Sequence, residues 1–414
     1  MKKILIANSL LLLITWQMKA QVGVGTITPN TTAELHIDVG ASTTRGFLVT
    51  GSSVVGALPD LGAGPRMMFY PGKSAFRAGY VSNTQWNDIN TGYYSVAMGA
   101  NTIASAFYSV AMGNNTTASG QYSVALGGNT NASGNFSTAL GSLTNAGGLY
   151  SLAVGNSCSA TGLSSVALGT NNNANANYAT ALGLNCTAGG LYSLADGNTC
   201  VASGQSTVAF GSGATASGDY SVAIGHSVNT NNQKGGFFLA DSDPYNKGVR
   251  IVGSPDQMCM RFNGGYYFIS NNNGPDIGVQ VPAGGNSWSV ASDIRLKENF
   301  LSIDGEDFLQ KIARLNLTTW NYKGQDPKHF RHFGPMAQDF YARFGKDELG
   351  SIGCDTLINQ QDLIGVNLVA VQALEKRTEN LQAENNSLKR ELAGLKNDMT
   401  EMREMLYKMN KDNK

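Results

Sequence analysis

Charge is scarce in this sequence, and what there is cancels: 29 lysines and arginines stand against 29 aspartates and glutamates in 414 residues. Between Thr91 and Gly225 the only acids are Asp196 and Asp219, and lysine and arginine are missing. A chain with no basic face has little to offer a phosphate backbone, so nucleic acid is not an expected partner. Cysteine is also rare: five residues, an odd number without metal spacing, indicate no disulfide framework. His329 and His332 lack the further ligands a zinc site needs, and neither metal nor cofactor is expected. Long apolar runs are absent except near the start, where Lys2 and Lys3 precede a stretch from Ile4 to Trp16 and then Ala20. That is the pattern of a signal peptide (residues 1–20), cleaved after Ala20. The stretch is shorter than the ~20 residues a membrane span needs. An exported chain, secreted or held at the cell surface, with no integral membrane segment when mature, is the expectation.

What the chain has in abundance is glycine, 50 residues of it, and ten of these form a strict series from Gly99 to Gly225 in steps of fourteen. A fixed period without insertions marks a solenoid, in which each unit buries its face only against its neighbours. Residues 91–225 therefore form the organising element. In the third copy Tyr122, Val124 and Leu126 alternate with Ser123, Ala125 and Gly127, the period of a strand rather than a helix. A second short strand over Thr130–Ser133 is closed by Gly134. Two strands and two tight turns in fourteen residues make one coil of a parallel β-roll, and ten coils at ~4.8 Å each give a shaft of about 50 Å.

Two columns of the repeat carry information. The residue two before each glycine is alanine in all ten copies, which implies a close approach there. Since a fourteen-residue coil has too thin a lumen for an independent core, the small-residue face is expected to pack between chains, most simply three around an axis. The residue three after each glycine includes Cys158, Cys186 and Cys200 among Thr, Asn, Ala and Val. A column of small buried side chains accounts for it, although Cys186 and Cys200 on adjacent rungs are close enough for a bridge to be sterically conceivable. Asp196 interrupts an otherwise apolar column.

Residues 21–90 have the short strands and glycine turns of an N-terminal cap, needed to cover the open edge of a solenoid. Residues 226–290 lose the repeat but keep short strands, as expected of a β-stalk. Beyond them charge and helix formers return. Residues 291–370 form a separate small α+β domain, and residues 371–414 a helix with Leu374, Leu381, Leu388, Leu395, Met402 and Met409 at one heptad position. Val371, Thr378, Asn385, Leu392, Met399 and Leu406 occupy the other. Five sustained heptads specify a coiled coil, and a lone core Asn385 sets its register at some cost in stability.

The fourteen-residue units, with Ser-Val-Ala-Ile-Gly at Ser221–Gly225, resemble the head repeats of trimeric autotransporter adhesins of the YadA type. That resemblance implies a left-handed parallel β-roll in a homotrimer. The Asn, Ser and Thr faces of the shaft suit a cell-surface glycan, a protein or nothing specific as ligand. The departure is that no membrane-anchor barrel follows the repeats. The C-terminal motifs SDIRLKEN (Ser292–Asn299), LNLTTWNY (Leu315–Tyr322) and HFGPMAQD (His332–Asp339), followed by DLIGVNLVAVQALE from Asp362, resemble the C-terminal intramolecular chaperone of phage endosialidases and tail fibres, a family of self-cleaving serine peptidases. This second resemblance implies a trimerisation domain that releases itself by backbone cleavage beside Ser292.

Carried onto this sequence, Ser292 is the reactive serine, Lys297 a base, His332 a competing base and Asp293 a group that strains or activates the bond. A serine hydroxyl needs a base to take its proton, and a lysine serves once burial lowers its pKa. An imidazole is poised for the same task near neutral pH. Either Ala291–Ser292 or Ser292–Asp293 is the scissile bond, the resemblance favouring the second. Arg295 and Glu298 are expected to form a solvated or intersubunit ion pair. Two other functions compete with the fibre. A polysaccharide hydrolase of the tail-spike kind needs paired carboxylates, which Asp196 and Asp219 do not supply. A phage tail fibre shares the chaperone, but the signal peptide argues against it.

Overall fold

The computed structural model describes residues 22–24, 33, 35–38, 40, 47–52, 56–242, 250–271, 273–274 and 276–412; the expected signal peptide lies outside them. The chain divides into two compact units, one ending at Val290 and one beginning at Ala291. The first is almost entirely β.

Each of its ten regular coils contributes a five-residue strand, such as Val124–Gly128, and a two-residue strand, such as Asn131–Ala132. Up to the last coil each strand pairs in parallel with the residues fourteen further on: Val124 with Thr138, Leu126 with Leu140, Gly127 with Gly141. Among the described residues the long strands fall in a sheet of fourteen and the short ones in a sheet of eleven. The constant period leaves each residue facing its own kind on the next rung, so small residues form one continuous column and bulky ones another.

The faces are arranged differently from the sequence expectation. Ser123, Ala125, Thr130 and Ala132 are all buried within the single chain, as are their counterparts along the shaft. The close approach that the alanines mark is therefore across the lumen of the coil and not between chains. Val124 and Leu126 point outward and remain half-buried. Tyr122 is not in the strand at all: it sits in the preceding turn with φ of 57°, in the left-handed region. Cys186 and Cys200 are free, fully buried thiols, each donating to a glycine carbonyl at 3.3 Å, Gly197 O and Gly211 O.

The ends of the lumen are closed by larger side chains. Strand Ala75–Val81 adds a rung before the first repeat, and Arg77 stands in register with Ala97. Its fully buried guanidinium donates to Ser95 O at 3.0 Å, Ser95 Oγ at 2.8 Å and Ala104 O at 3.1 Å. Burial pushes its pKa down to about 10. Trp86 adds a bond from Nε1 to Thr102 O at 2.9 Å, and antiparallel strand Gly64–Tyr70 covers the sheet edge. At the other end the ladder outlasts the repeat: Phe237–Leu239 pair with Val222–Ile224, and Met258–Met260 pair with Phe237–Leu239. Phe238 there takes the lumen position of Ala223 and is 2% exposed. An antiparallel sheet of Gly265–Ile269, Gly278–Pro282 and Ser289–Val290 follows.

The second unit has three helices, α1 (Gly305–Ala313), α2 (Ala337–Phe344) and α3 (Gln360–Asp412), and a pair of antiparallel strands, Thr318–Trp320 and His332–Gly334. Asp304 caps α1 by accepting from Glu306 N at 2.9 Å. Phe340, Phe344 and Val366 form a small core with Phe308, Ile312 and Leu363. Gly305 lets α1 close onto α3, since a Cβ there would stand 2.8 Å from that of Ala373. One turn further on Arg377 pairs with Glu306 of α1; beyond that ion pair α3 runs alone, and its heptad leucines and methionines are exposed. Among the described residues no helix is long and apolar enough to cross a membrane.

Candidate active site

The segment that opens the second unit folds back on itself within six residues. Asp293 caps a single 3-10 turn, Ile294–Leu296, by accepting from Arg295 N at 2.9 Å. The Arg295 side chain donates to the same carboxylate, Nε lying 3.0 Å from Oδ2. These two contacts, the side chain first, hold the Asp293 carboxyl below its usual range. Within the chain the partner of Arg295 is thus Asp293 and not Glu298.

That turn reverses the chain, so that Lys297 Nζ reaches back five residues and donates to Ser292 Oγ at 2.8 Å. Serine and lysine are both solvent-exposed. A groove of about 820 Å³ starts at Lys297 and passes Phe300, Ile303 and Phe308 to Phe344. Ile294, Phe300 and Ile303 are 72%, 66% and 56% exposed, and Phe300 and Ile303 share the groove with Lys297. These residues were not singled out from sequence, although the apolar run Phe300–Ile303 inside a charged segment is a visible signal.

His332 is held elsewhere in the unit. It pairs with Trp320 across the two short strands, stacks on that ring at 4.6 Å, and meets Tyr322 edge-on at 5.6 Å. Its Nε2 is buried without a hydrogen-bond partner. Among the described residues no hydrogen bond joins it to Ser292 or Lys297. His329 pairs instead with Asp326, Nδ1 to Oδ2 at 2.7 Å.

Residues 292–346, which contain the serine, the lysine and His332, match the family described as chaperone of endosialidase. Residues 91–116, 104–130, 118–144, 132–157, 160–185 and 202–227 match the YadA head domain repeat. The chain joins head repeats to a chaperone segment, in that order. No curated protein matches it. Most of the regular coils of the first unit thus match head repeats, and the Ser292–Lys297 contact lies at the first residues of the chaperone match.

Proposed function

We propose that this chain is an exported, adhesin-like fibre that assembles as a homotrimer, and that its C-terminal unit is an intramolecular trimerisation chaperone that cuts itself away at Ser292. The observation that carries the cleavage is the 2.8 Å contact from Lys297 Nζ to Ser292 Oγ. Lysine is the base in this scheme. It takes the Ser292 proton as Oγ attacks the scissile carbonyl, gives it to the departing amine, and water then hydrolyses the ester. An ammonium that donates to serine must first lose its proton, and burial is what drives that. Covering Ile294, Phe300 and Ile303 with a neighbouring chain would supply the burial, which couples cleavage to assembly.

Two surfaces support assembly. Along the shaft the outward columns of Val96, Val110 and Val124 and of Met98, Met112 and Leu126, with their successors, form an apolar strip interrupted at Thr138, Thr180 and Asp196. On α3 ten of the twelve heptad positions are apolar and exposed. Burying each recovers on the order of 1–2 kcal/mol, enough in sum to offset the cost of association. Three chains suit both the head-repeat match and the rod. A cell-surface glycan or protein is the expected ligand of the shaft.

The test is a denaturing gel of the full chain against Ser292→Ala, with native mass measured in parallel. A trimer and a fragment of about 120 residues that disappears in the variant are expected. Mass spectrometry of that fragment distinguishes a Ser292 from an Asp293 N-terminus, and hence the bond. An intact wild-type trimer rejects the cleavage; a monomer rejects the assembly.

A further inference from the structure

Eight of the ten coils carry an aromatic residue immediately before the buried serine column, and two carry serine, Ser164 and Ser206. All ten adopt the same left-handed turn, with φ between 52° and 60°. A bulky residue in that region is uncommon, yet the tyrosines recur there and stack. Tyr94, Tyr108, Tyr122, Phe136 and Tyr150 form an unbroken ladder with centroids 4.8–5.1 Å apart and planes tilted by no more than 21°. Tyr178 and Tyr192 form a second piece at 5.1 Å.

The serines leave gaps of one rung. Backbone bonding continues across both: Ser164 N donates to Leu149 O at 2.8 Å and Tyr178 N to Leu163 O at 2.7 Å. At the second gap Ser206 N donates to Leu191 O at 2.7 Å and Tyr220 N to Gln205 O at 2.8 Å. The rungs cannot collapse onto one another, so Tyr150 and Tyr178 face each other over two rung spacings, ~10 Å. A flat guest centred there sits ~5 Å from each ring, the spacing the ladder itself uses. Tyr150 and Tyr192, the rings on the N-terminal side of the two gaps, are the most exposed of the ladder at 56% and 55%. The far face of Tyr220, by contrast, is covered by Lys234, whose Nζ lies 5.8 Å from the ring centroid.

We infer that the gaps at Ser164 and Ser206 are two binding slots, each taking one pyranose ring of a carbohydrate. Between Thr91 and Gly225 the only charged side chains are Asp196 and Asp219, so the repeats offer no cation to an anionic guest. A neutral ring with apolar C–H faces and a hydroxyl rim matches aromatic walls edged by serine and tyrosine hydroxyls. The rings stack along the shaft, so the guest lies across it. A terminal or branch sugar can enter that way; the backbone of a polysaccharide running lengthwise cannot. The slots deepen the adhesin assignment by naming a ligand class, and they are complete within one chain, so they do not depend on trimer formation.

The test uses the full chain and saturation-transfer NMR with millimolar methyl β-D-glucopyranoside, methyl β-D-galactopyranoside and methyl N-acetyl-β-D-glucosaminide, with p-cresol as the aromatic comparison. Transfer to the ring protons of at least one glycoside is expected. In the Ser164→Tyr/Ser206→Tyr variant, which completes the ladder in a turn that already accepts tyrosine, that transfer falls about tenfold, a loss of about 1.4 kcal/mol. Circular dichroism and native mass establish that the variant is folded. No glycoside transfer to the wild type, or equal transfer to the filled variant, overturns the inference. So does p-cresol binding that the variant abolishes while glycosides stay unbound, which would assign the slots to aromatic groups. A monomer that still binds glycosides would sink the trimer and leave the slots standing.

Discussion

Two adjacent glycines in the third coil should respond to alanine in opposite ways. Gly127 has φ of +125°, and a Cβ built on it would stand 1.9 Å from Gly141 O and 2.9 Å from its carbonyl carbon. Neither atom can yield, because both belong to the next rung of the ladder. Opening the rungs by about 1 Å takes the flanking bonds beyond hydrogen-bonding range. One of these is Val124 N to Ser137 O at 3.0 Å. Two lost bonds at about 1 kcal/mol each, with about 1–3 kcal/mol of backbone strain, put Gly127→Ala at about 3–5 kcal/mol. Gly128, one residue on, has nothing within 4 Å of its built Cβ. Asn114, Ser142, Thr170 and Leu184 fill the same position in other coils. Alanine there stabilises by about 0.5 kcal/mol through the unfolded chain. In a thermal melt followed by circular dichroism, Gly127→Ala should lower the midpoint by about 6–20 °C and Gly128→Ala should raise it by about 1–2 °C. Equal shifts in the two variants, or a Gly127→Ala midpoint within about 2 °C of wild type, would refute the stacked-glycine explanation of the period.

Three further outcomes can be stated briefly. Lys297→Arg keeps a cationic donor beside Ser292 but cannot give up its proton, so cleavage followed on a gel should fall by about 100-fold or more, while His332→Ala should leave it within about twofold. Cys354 is exposed, and its hydrogen bonds with Thr356, the side chain first, hold its thiol below the usual range. Burial pushes the Cys200 thiol up. Iodoacetamide at neutral pH should therefore modify Cys354 promptly, with Cys200 protected more than about 1,000-fold until the shaft unfolds, as read by peptide mass spectrometry. Asn385→Leu replaces the one amide among the heptad positions of α3, and the C-terminal unit should melt several degrees higher, with native mass showing whether the variant keeps the chain number of the wild type.

The period made the ladder legible, because a constant step admits only one register. It left open which way the strand faces. Alternation of bulky and small residues says that two faces exist, and the usual preference puts the bulky one inside. Along the regular coils the lumen holds mostly Ser, Ala, Thr and Cys side chains such as Ser123, Ala125, Thr130 and Ala132, so coil length, and not hydrophobicity, decides the orientation. Tyr122 was hidden for a related reason: Tyr-Ser-Val continues the alternation without a break, and only the backbone dihedral places it in a turn. The last rungs were invisible because Phe237 pairs with Val222 and Met258 with Phe237, steps of fifteen and twenty-one residues that destroy the period but not the pairing. At the serine the limit is of another kind. The resemblance puts Lys297 first as base with His332 competing, and separation along the chain carries no distance: five residues are closed by one 3-10 turn capped by Asp293, whereas the intervening strands hold His332 against Trp320. A turn of a few residues is open to inference from spacing and capping residues, whereas the partners of a strand residue are not, so the place of His332 beside Trp320 is read only from the fold.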